Sequence, residues 1–142
     1  MIGEFMLECL ILGDSLAVGI GQVRKECITH AVSGINSHNY VNRHVLHTQG
    51  DTKAKNIIIS LGSNDTKNID TYEELLLLRQ LIDADRVFWI LPNIKEQKRK
   101  EVWMVAHKFG DTVLDARNVD RSPDLVHPTY NGYKELANQT KR

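Results

Sequence analysis

Long hydrophobic runs are missing from this chain of 142 residues. No apolar stretch approaches the roughly 20 residues that a membrane-spanning helix needs, which excludes a helical span. An excess of charge of one sign is missing too. Lysine plus arginine number 18 and aspartate plus glutamate 18, for a net charge of zero. Nothing electrostatic therefore argues for nucleic acid or an anionic membrane as partner. Cysteine is scarce, with two residues. Cys9 and Cys27 each fall in an expected strand, and the expectation is two buried, reduced thiols. Cys9 is a poor nucleophile, because no histidine is near it in sequence and apolar neighbours raise a thiol's pKa. Glycine patterns that cradle phosphate are absent, as are internal repeats, low-complexity tracts and linkers. The N-terminus has no basic region of the kind that opens a signal peptide, which makes the cytoplasm the default location. Met1-Ile2-Gly3-Glu4-Phe5 reads as a vector-derived leader, with Met6 the native start.

Apolar content is 42% and charged content 25%, values ordinary for a globular protein, and the length suits a single domain over residues 1–142. Short apolar runs alternate with longer amphipathic stretches. Strands are expected at 6–12, 26–31, 56–61, 86–91 and 112–115. Helices are expected at 17–24, 36–47, 71–84, 95–108 and 129–139, with Thr71 and Glu74 at capping-box spacing. The basic cluster Lys95, Lys98, Arg99 and Lys100 is expected to form a solvated helix face. In the leucine run Leu75 to Leu78, followed by Leu81 and Ile82, not every leucine can face inward. The leftover edge hints at a homo-oligomer. Alternation of strands and helices implies an α/β fold, a parallel sheet covered on both faces, with a site outside the carboxyl ends of the strands.

Polar and small residues gather at those ends: Asp14-Ser15 after the first strand, Ser33-Gly34 after the second, Gly62-Ser63-Asn64-Asp65 after the third and Asn93 after the fourth. Asp124 and His127 follow the fifth, at the spacing of one helical turn. A serine hydroxyl is inert at neutral pH without a base to take its proton, and an imidazole needs a carboxylate to hold and stabilise it. Serine, histidine and aspartate are the groups that acyl transfer requires. Taken singly, Ser15 would be a helix N-cap and His127 a surface histidine; together the three point to chemistry. Of six histidines, His38, His44 and His47 share one expected helix. They lack the three or four convergent ligands of a zinc site, so neither metal nor cofactor is expected.

The blocks Gly13-Asp14-Ser15-Leu16 with Gly19, Gly34, Gly62-x-Asn64-Asp65 and Asp124-x-x-His127 stand in the order found in the SGNH hydrolase superfamily, the GDSL esterases and lipases. The chain resembles that family over nearly its whole length. The resemblance implies a flavodoxin-like three-layer α/β/α sandwich with a five-stranded parallel sheet, and hydrolysis of esters or thioesters without a metal. It implies Ser15 as nucleophile, His127 as base and then acid, and Asp124 as the residue orienting the imidazole. The oxyanion donors would be the backbone N–H groups of Ser15 and Gly34 and the side-chain amide of Asn64. Asp14 and Asp65 are expected to tie down their own turns, and Gly19 and Gly21 to serve packing.

Substrate walls are expected from Thr66, Asn93, Ile94 and Tyr130. Their mixture of polar and medium apolar groups suits an acetyl group, or another short acyl group, on a small molecule or a carbohydrate polymer. A thioesterase or lysophospholipase, and a binding module without turnover, are the alternatives. An enzyme carried on a virus particle or released by lysis would have the same sequence features.

Overall fold

Isoleucines 57 to 59 set the centre of the molecule: a β-branched run of this kind packs well in a strand covered on both faces. The computed structural model describes residues 7–47 and 51–141, so the proposed leader and Met6 lie outside the described residues. Five strands, β1 (Cys9–Gly13), β2 (Ile28–Ala31), β3 (Lys53–Ser60), β4 (Asp83–Leu91) and β5 (Thr112–Asp115), form one sheet in the order β2-β1-β3-β4-β5. All pairings are parallel. This is the flavodoxin-like order, whose switch point lies between β1 and β3.

Alternate residues of β1, β3 and β4 feed two separate cores. Leu10, Leu12, Ile57, Ile59, Val87 and Trp89 pack with Leu75 and Leu78 of α3 (Thr71–Leu81) and Val102, Val105 and Ala106 of α4 (Glu96–Phe109). Cys9, Ile11, Ile58, Phe88, Ile90 and Leu114 pack on the other face with Leu16, Ala17 and Ile20 of α1 (Ser15–Val23) and Leu136 and Ala137 of α5 (Tyr130–Gln139). The result is the expected three-layer α/β/α sandwich. Among the described residues no helix is long and apolar enough to cross a membrane.

Several local expectations are corrected. Residues 36–47 divide into a short α2 (Ser37–Asn39) and a π-helical stretch (Tyr40–Leu46). The helix expected to run to residue 84 stops at Leu81, because Asp83 and Ala84 pair with Lys53 and Ala54 of β3. Leu77 and Leu81 remain exposed. Its cap is Asp70, which accepts from Glu73 N–H, so Thr71 and Glu74 form no capping box; Glu74 meets His38 instead. The basic cluster is no free solvated face. Lys98 is buried and donates to the Ile69 carbonyl at 2.7 Å, and Arg99 binds Asp115 and the Pro92 carbonyl.

Cys9 and Cys27 are joined in a disulfide rather than held as two thiols. The reason is register: Leu10 stands opposite Ile28 on the neighbouring parallel strand, so the residues just before them come together, with Cα atoms 4.9 Å apart. Sequence spacing alone cannot show this. The closed loop, with a sequence separation of 18, restricts the unfolded chain by about 3 kcal/mol in the chain-entropy account.

Candidate active site

The turn after β1 is built around a close approach of two backbones. Gly13 has φ +133°, and a Cβ there would lie 1.9 Å from the Ser60 carbonyl oxygen. With no side chain in the way, Asp14 N–H donates to that carbonyl at 2.9 Å. Asp14 is fully buried and caps α1: its Oδ1 accepts from Leu16 N–H and from Ser60 Oγ. The cap role that Ser15 could have filled therefore belongs to its neighbour. Ser15 becomes the first residue of α1, with its hydroxyl free for other work and its N–H among those a helix leaves without an internal acceptor.

That hydroxyl lies 2.9 Å from His127 Nε2, across 112 residues of sequence. His127 Nδ1 lies 2.8 Å from Asp124 Oδ2. An ionised carboxylate only accepts, so Nδ1 carries the ring proton and Nε2 is left to accept from Ser15. Asp124 and His127 do not share a helix, contrary to the expectation from their spacing. They lie in a loop before α5, wound tightly by Leu125 at φ +61°. Ser122 N–H donates to the His127 carbonyl at 2.9 Å, and its single hydroxyl proton goes to Asp124 Oδ1, the stronger acceptor. Asp124 Oδ1 collects three donors, Ser122 Oγ, Val126 N–H and His127 N–H, each at 2.9 Å. The bond to the His127 ring and these donors hold the Asp124 carboxyl well below the usual carboxylate range, although it is open to solvent. Sequence inspection missed Ser122 and Leu125. Ser122 precedes Asp124 by two, a short polar spacing that carries no periodic signal.

The remaining expected site residues approach from two further strand ends. Gly34, at φ +82°, is the third residue of a turn closed by Ile35 N–H on the Val32 carbonyl, while Val32 N–H donates to the Gly13 carbonyl. This ties the glycine turn to the strand end that carries Ser15. Asn64 follows Gly62, and its amide donates to the Ile35 carbonyl at 3.0 Å, which leaves its second N–H for another acceptor. Asp65 does not restrain its own turn as expected. Its buried carboxylate accepts from Ser37 N–H at 2.7 Å and Thr71 Oγ1 at 2.6 Å, and so anchors the starts of α2 and α3.

The expected walls separate into outward and inward residues. Ile94 and Tyr130 are 45% and 69% exposed. Thr66 is exposed and borders a cavity of about 330 Å³ shared with Lys67, Lys95 and Gln97. Asn93 turns inward: it is 5% exposed, and its amide donates to the Val126 carbonyl at 2.5 Å. The Tyr133 ring lies against Gly19, where a Cβ would come within 2.2 Å of it. Burial and the charges of Asp14 and Asp124 push its phenol up to about 12, so it stays neutral.

Burial also pushes the Asp14 carboxyl up to about 6, only partly offset by Ser60 and Leu16 N–H. A carboxyl raised in the folded state favours folding when protonated. Its contribution is therefore fully present below pH 4 and is lost as pH rises through about 6. The expected loss is about 3 kcal/mol. Urea unfolding from pH 4 to 8 should show this fall, and Asp14→Asn should flatten it.

No protein-family model matches the sequence, and no curated protein matches it. Solved structures do. A GDSL-like lipase from Bacteroides thetaiotaomicron is 15% identical with a TM-score of 0.72, over 95% of this chain and 86% of that one. The C-terminal catalytic domain of peptidoglycan O-acetyltransferase A from Streptococcus pneumoniae, solved with a methylsulfonyl adduct, is 13% identical with a TM-score of 0.62, over 97% and 92%. A carbohydrate acetylesterase family member from Sinorhizobium meliloti is 15% identical with a TM-score of 0.60, over 92% and 94%. Sheet order, layering and these neighbours agree that the chain has the fold of the SGNH hydrolases, the fold shared by GDSL-like lipases and acylhydrolases.

Proposed function

We propose that this protein is a serine hydrolase of the SGNH superfamily that cleaves carboxylic esters through an acyl-enzyme. The observation that carries this reading is the unbroken chain from Ser15 Oγ to His127 Nε2 at 2.9 Å and from His127 Nδ1 to Asp124 Oδ2 at 2.8 Å. Ser15 attacks the ester carbonyl as His127 takes its proton. The negative charge on the former carbonyl oxygen meets Ser15 N–H, Gly34 N–H and the free N–H of Asn64. His127 then gives its proton to the departing alcohol, and water attacks the acyl-serine with His127 again acting as base. Asp124 stays ionised throughout, which stabilises the imidazolium that forms in both halves.

The proposed substrates are O-acetyl or other short esters on a small molecule or a carbohydrate polymer. Two neighbours support this by what they are, an O-acetyltransferase of peptidoglycan and a carbohydrate acetylesterase. A thioesterase or lysophospholipase is the second reading. It is favoured by the apolar groups exposed at the rim, Ile94, Tyr130 and Leu125, the last 57% exposed. A series of p-nitrophenyl esters from acetate to palmitate separates the two. Falling kcat/KM with chain length supports the first, and rising kcat/KM the second. A fluorophosphonate probe tests what they share: it should label the wild type and leave Ser15→Ala unlabelled, and an unlabelled wild type would overturn both. The Cys9–Cys27 disulfide favours an oxidising compartment over the cytoplasm expected from sequence.

Asn64→Ala removes one donor to the developing oxyanion. Its expected effect is a loss of about 100- to 1,000-fold in kcat, with little change in KM for p-nitrophenyl acetate. A rise in KM at unchanged kcat would place Asn64 in ground-state binding instead.

A further inference from the structure

Ser15 and Gly34 hang from the β1 side of the sheet, Asn64 from β3, and His127 from the loop after β5. Acyl transfer needs their reacting atoms aligned to within a fraction of an ångström. The short junction between β4 and α4 touches two of these pieces. At one end, Asn93 Nδ2 donates to the carbonyl of Val126, the residue before His127, at 2.5 Å. At the other, Lys95 Nζ donates to the carbonyl of Asp65, the residue after Asn64, at 3.0 Å.

The same junction concentrates features that are unfavourable in themselves. Asn93 is buried, and its Oδ1 finds no hydrogen-bond partner among the described residues. A buried polar side chain satisfied on only one side is uncommon and destabilising. Lys95 holds φ +63°, and Leu125, next to Val126, holds φ +61°. They are the non-glycine residues with positive φ among the described ones, and they flank the Asn93–Val126 bond. Strain of this kind persists where surrounding contacts over-determine the backbone, and it gathers at functional sites.

We infer that Asn93 and Lys95 are positioning residues, a brace through which one junction fixes the histidine loop and the Asn64 turn relative to each other. The inference rests on the hydrolase reading above for its catalytic consequence but not for its mechanical one. Asn93 acts on His127 through the Val126 carbonyl, and Lys95 acts on Asn64 through the Asp65 carbonyl; neither needs to touch substrate.

The test compares the wild type with Asn93→Ala and with Lys95→Met, which keeps the aliphatic stem and removes the donor. Active sites are counted by fluorophosphonate titration, and kcat and KM for p-nitrophenyl acetate are then expressed per titrated site. Asn93→Ala should keep its full count of sites and its KM while kcat per site falls about 10- to 100-fold. A merely structural role would lower the count and leave kcat per site unchanged. Amide hydrogen exchange gives the second readout. It should quicken at residues 120–129 in Asn93→Ala and at 62–69 in Lys95→Met, with β1 unchanged. Should Asn93→Ala fail to fold, Asn93→Asp serves, since it matches asparagine in shape but sets an oxygen against the Val126 carbonyl. Unchanged kcat per site together with unchanged exchange overturns the brace. A wild type that neither labels nor turns over sinks the hydrolase reading, and exchange alone then decides the tether.

Discussion

Ser15→Ala should abolish ester hydrolysis, with kcat falling on the order of a million-fold, while the protein remains folded. Both halves of this expectation follow from where the side chain sits. The Oγ stands at the end of β1 as the proposed nucleophile, and among the described residues its hydrogen bond runs to His127 Nε2. No other part of the fold depends on it, because the cap of α1 and the tie to β3 are made by Asp14. Removing one oxygen from a half-buried position should shift stability by less than about 1 kcal/mol. His127→Ala should lose nearly as much activity. The double variant Ser15→Ala/His127→Ala should be no slower than either single one, because a base without a nucleophile, or a nucleophile without a base, contributes nothing further. Steady-state kinetics on p-nitrophenyl acetate beside thermal unfolding checks all three. Additive losses in the double variant would mean that the two residues work separately, and the acyl-enzyme mechanism would then be wrong.

Much of the architecture was legible because the relevant signals are local and periodic. Ile57, Ile58 and Ile59 announce a strand covered on both faces, and they fill its buried C-terminal half. Residues 112–115 were expected as a strand and are one, ending where Asp115 turns the chain into a 3-10 helix. What stayed hidden depends on contacts between distant segments. The end of α3 was overrun by three residues because Ile82 continues the leucine pattern, while the pairing of Asp83 and Ala84 with β3 cannot be seen without β3 in place. The Cys9–Cys27 bond is hidden for the same reason: it follows from strand register. Lys98 looked like one more solvated cation, yet its ammonium reaches a carbonyl on the loop before α3.

The site divides along the same line. Its residue types stand in recognisable blocks, which name Ser15, Gly34, Asn64, Asp124 and His127 as candidates by position, and the structure brings Ser15, His127 and Asp124 into one hydrogen-bonded chain. The supporting bonds could not. Asp65 suggested a local turn restraint and instead joins α2 to α3. Asn93 suggested a wall and instead grips the histidine loop. Spacing of three between Asp124 and His127 suggested a helix, whereas a left-handed Leu125 closes the same gap in a turn. In each case the chain's local chemistry allowed several partners, and for Asp65 and Asn93 burial chose among them.

Asp124→Asn should lower kcat on the order of ten-thousand-fold, and the reason is visible in the three donors around one carboxylate oxygen. Ser122 Oγ, Val126 N–H and His127 N–H all point at Oδ1. An asparagine must place its carbonyl oxygen there, since an NH₂ group would face the fixed N–H donors of Val126 and His127. Its NH₂ is thereby forced into the Oδ2 position, 2.8 Å from His127 Nδ1. A donor in that place demands an acceptor, so the imidazole proton moves to Nε2, the nitrogen facing Ser15. A protonated Nε2 cannot take the serine proton, and catalysis fails although every atom is nearly where it was. Asp124→Ala removes the carboxylate without imposing that tautomer, so it should retain more activity than Asp124→Asn. The comparison of the two variants on p-nitrophenyl acetate is the check, supported by nitrogen NMR of the His127 ring to show which nitrogen carries the proton. An asparagine variant that is as active as the alanine one, with the ring proton still on Nδ1, would show that Asp124 acts by charge alone.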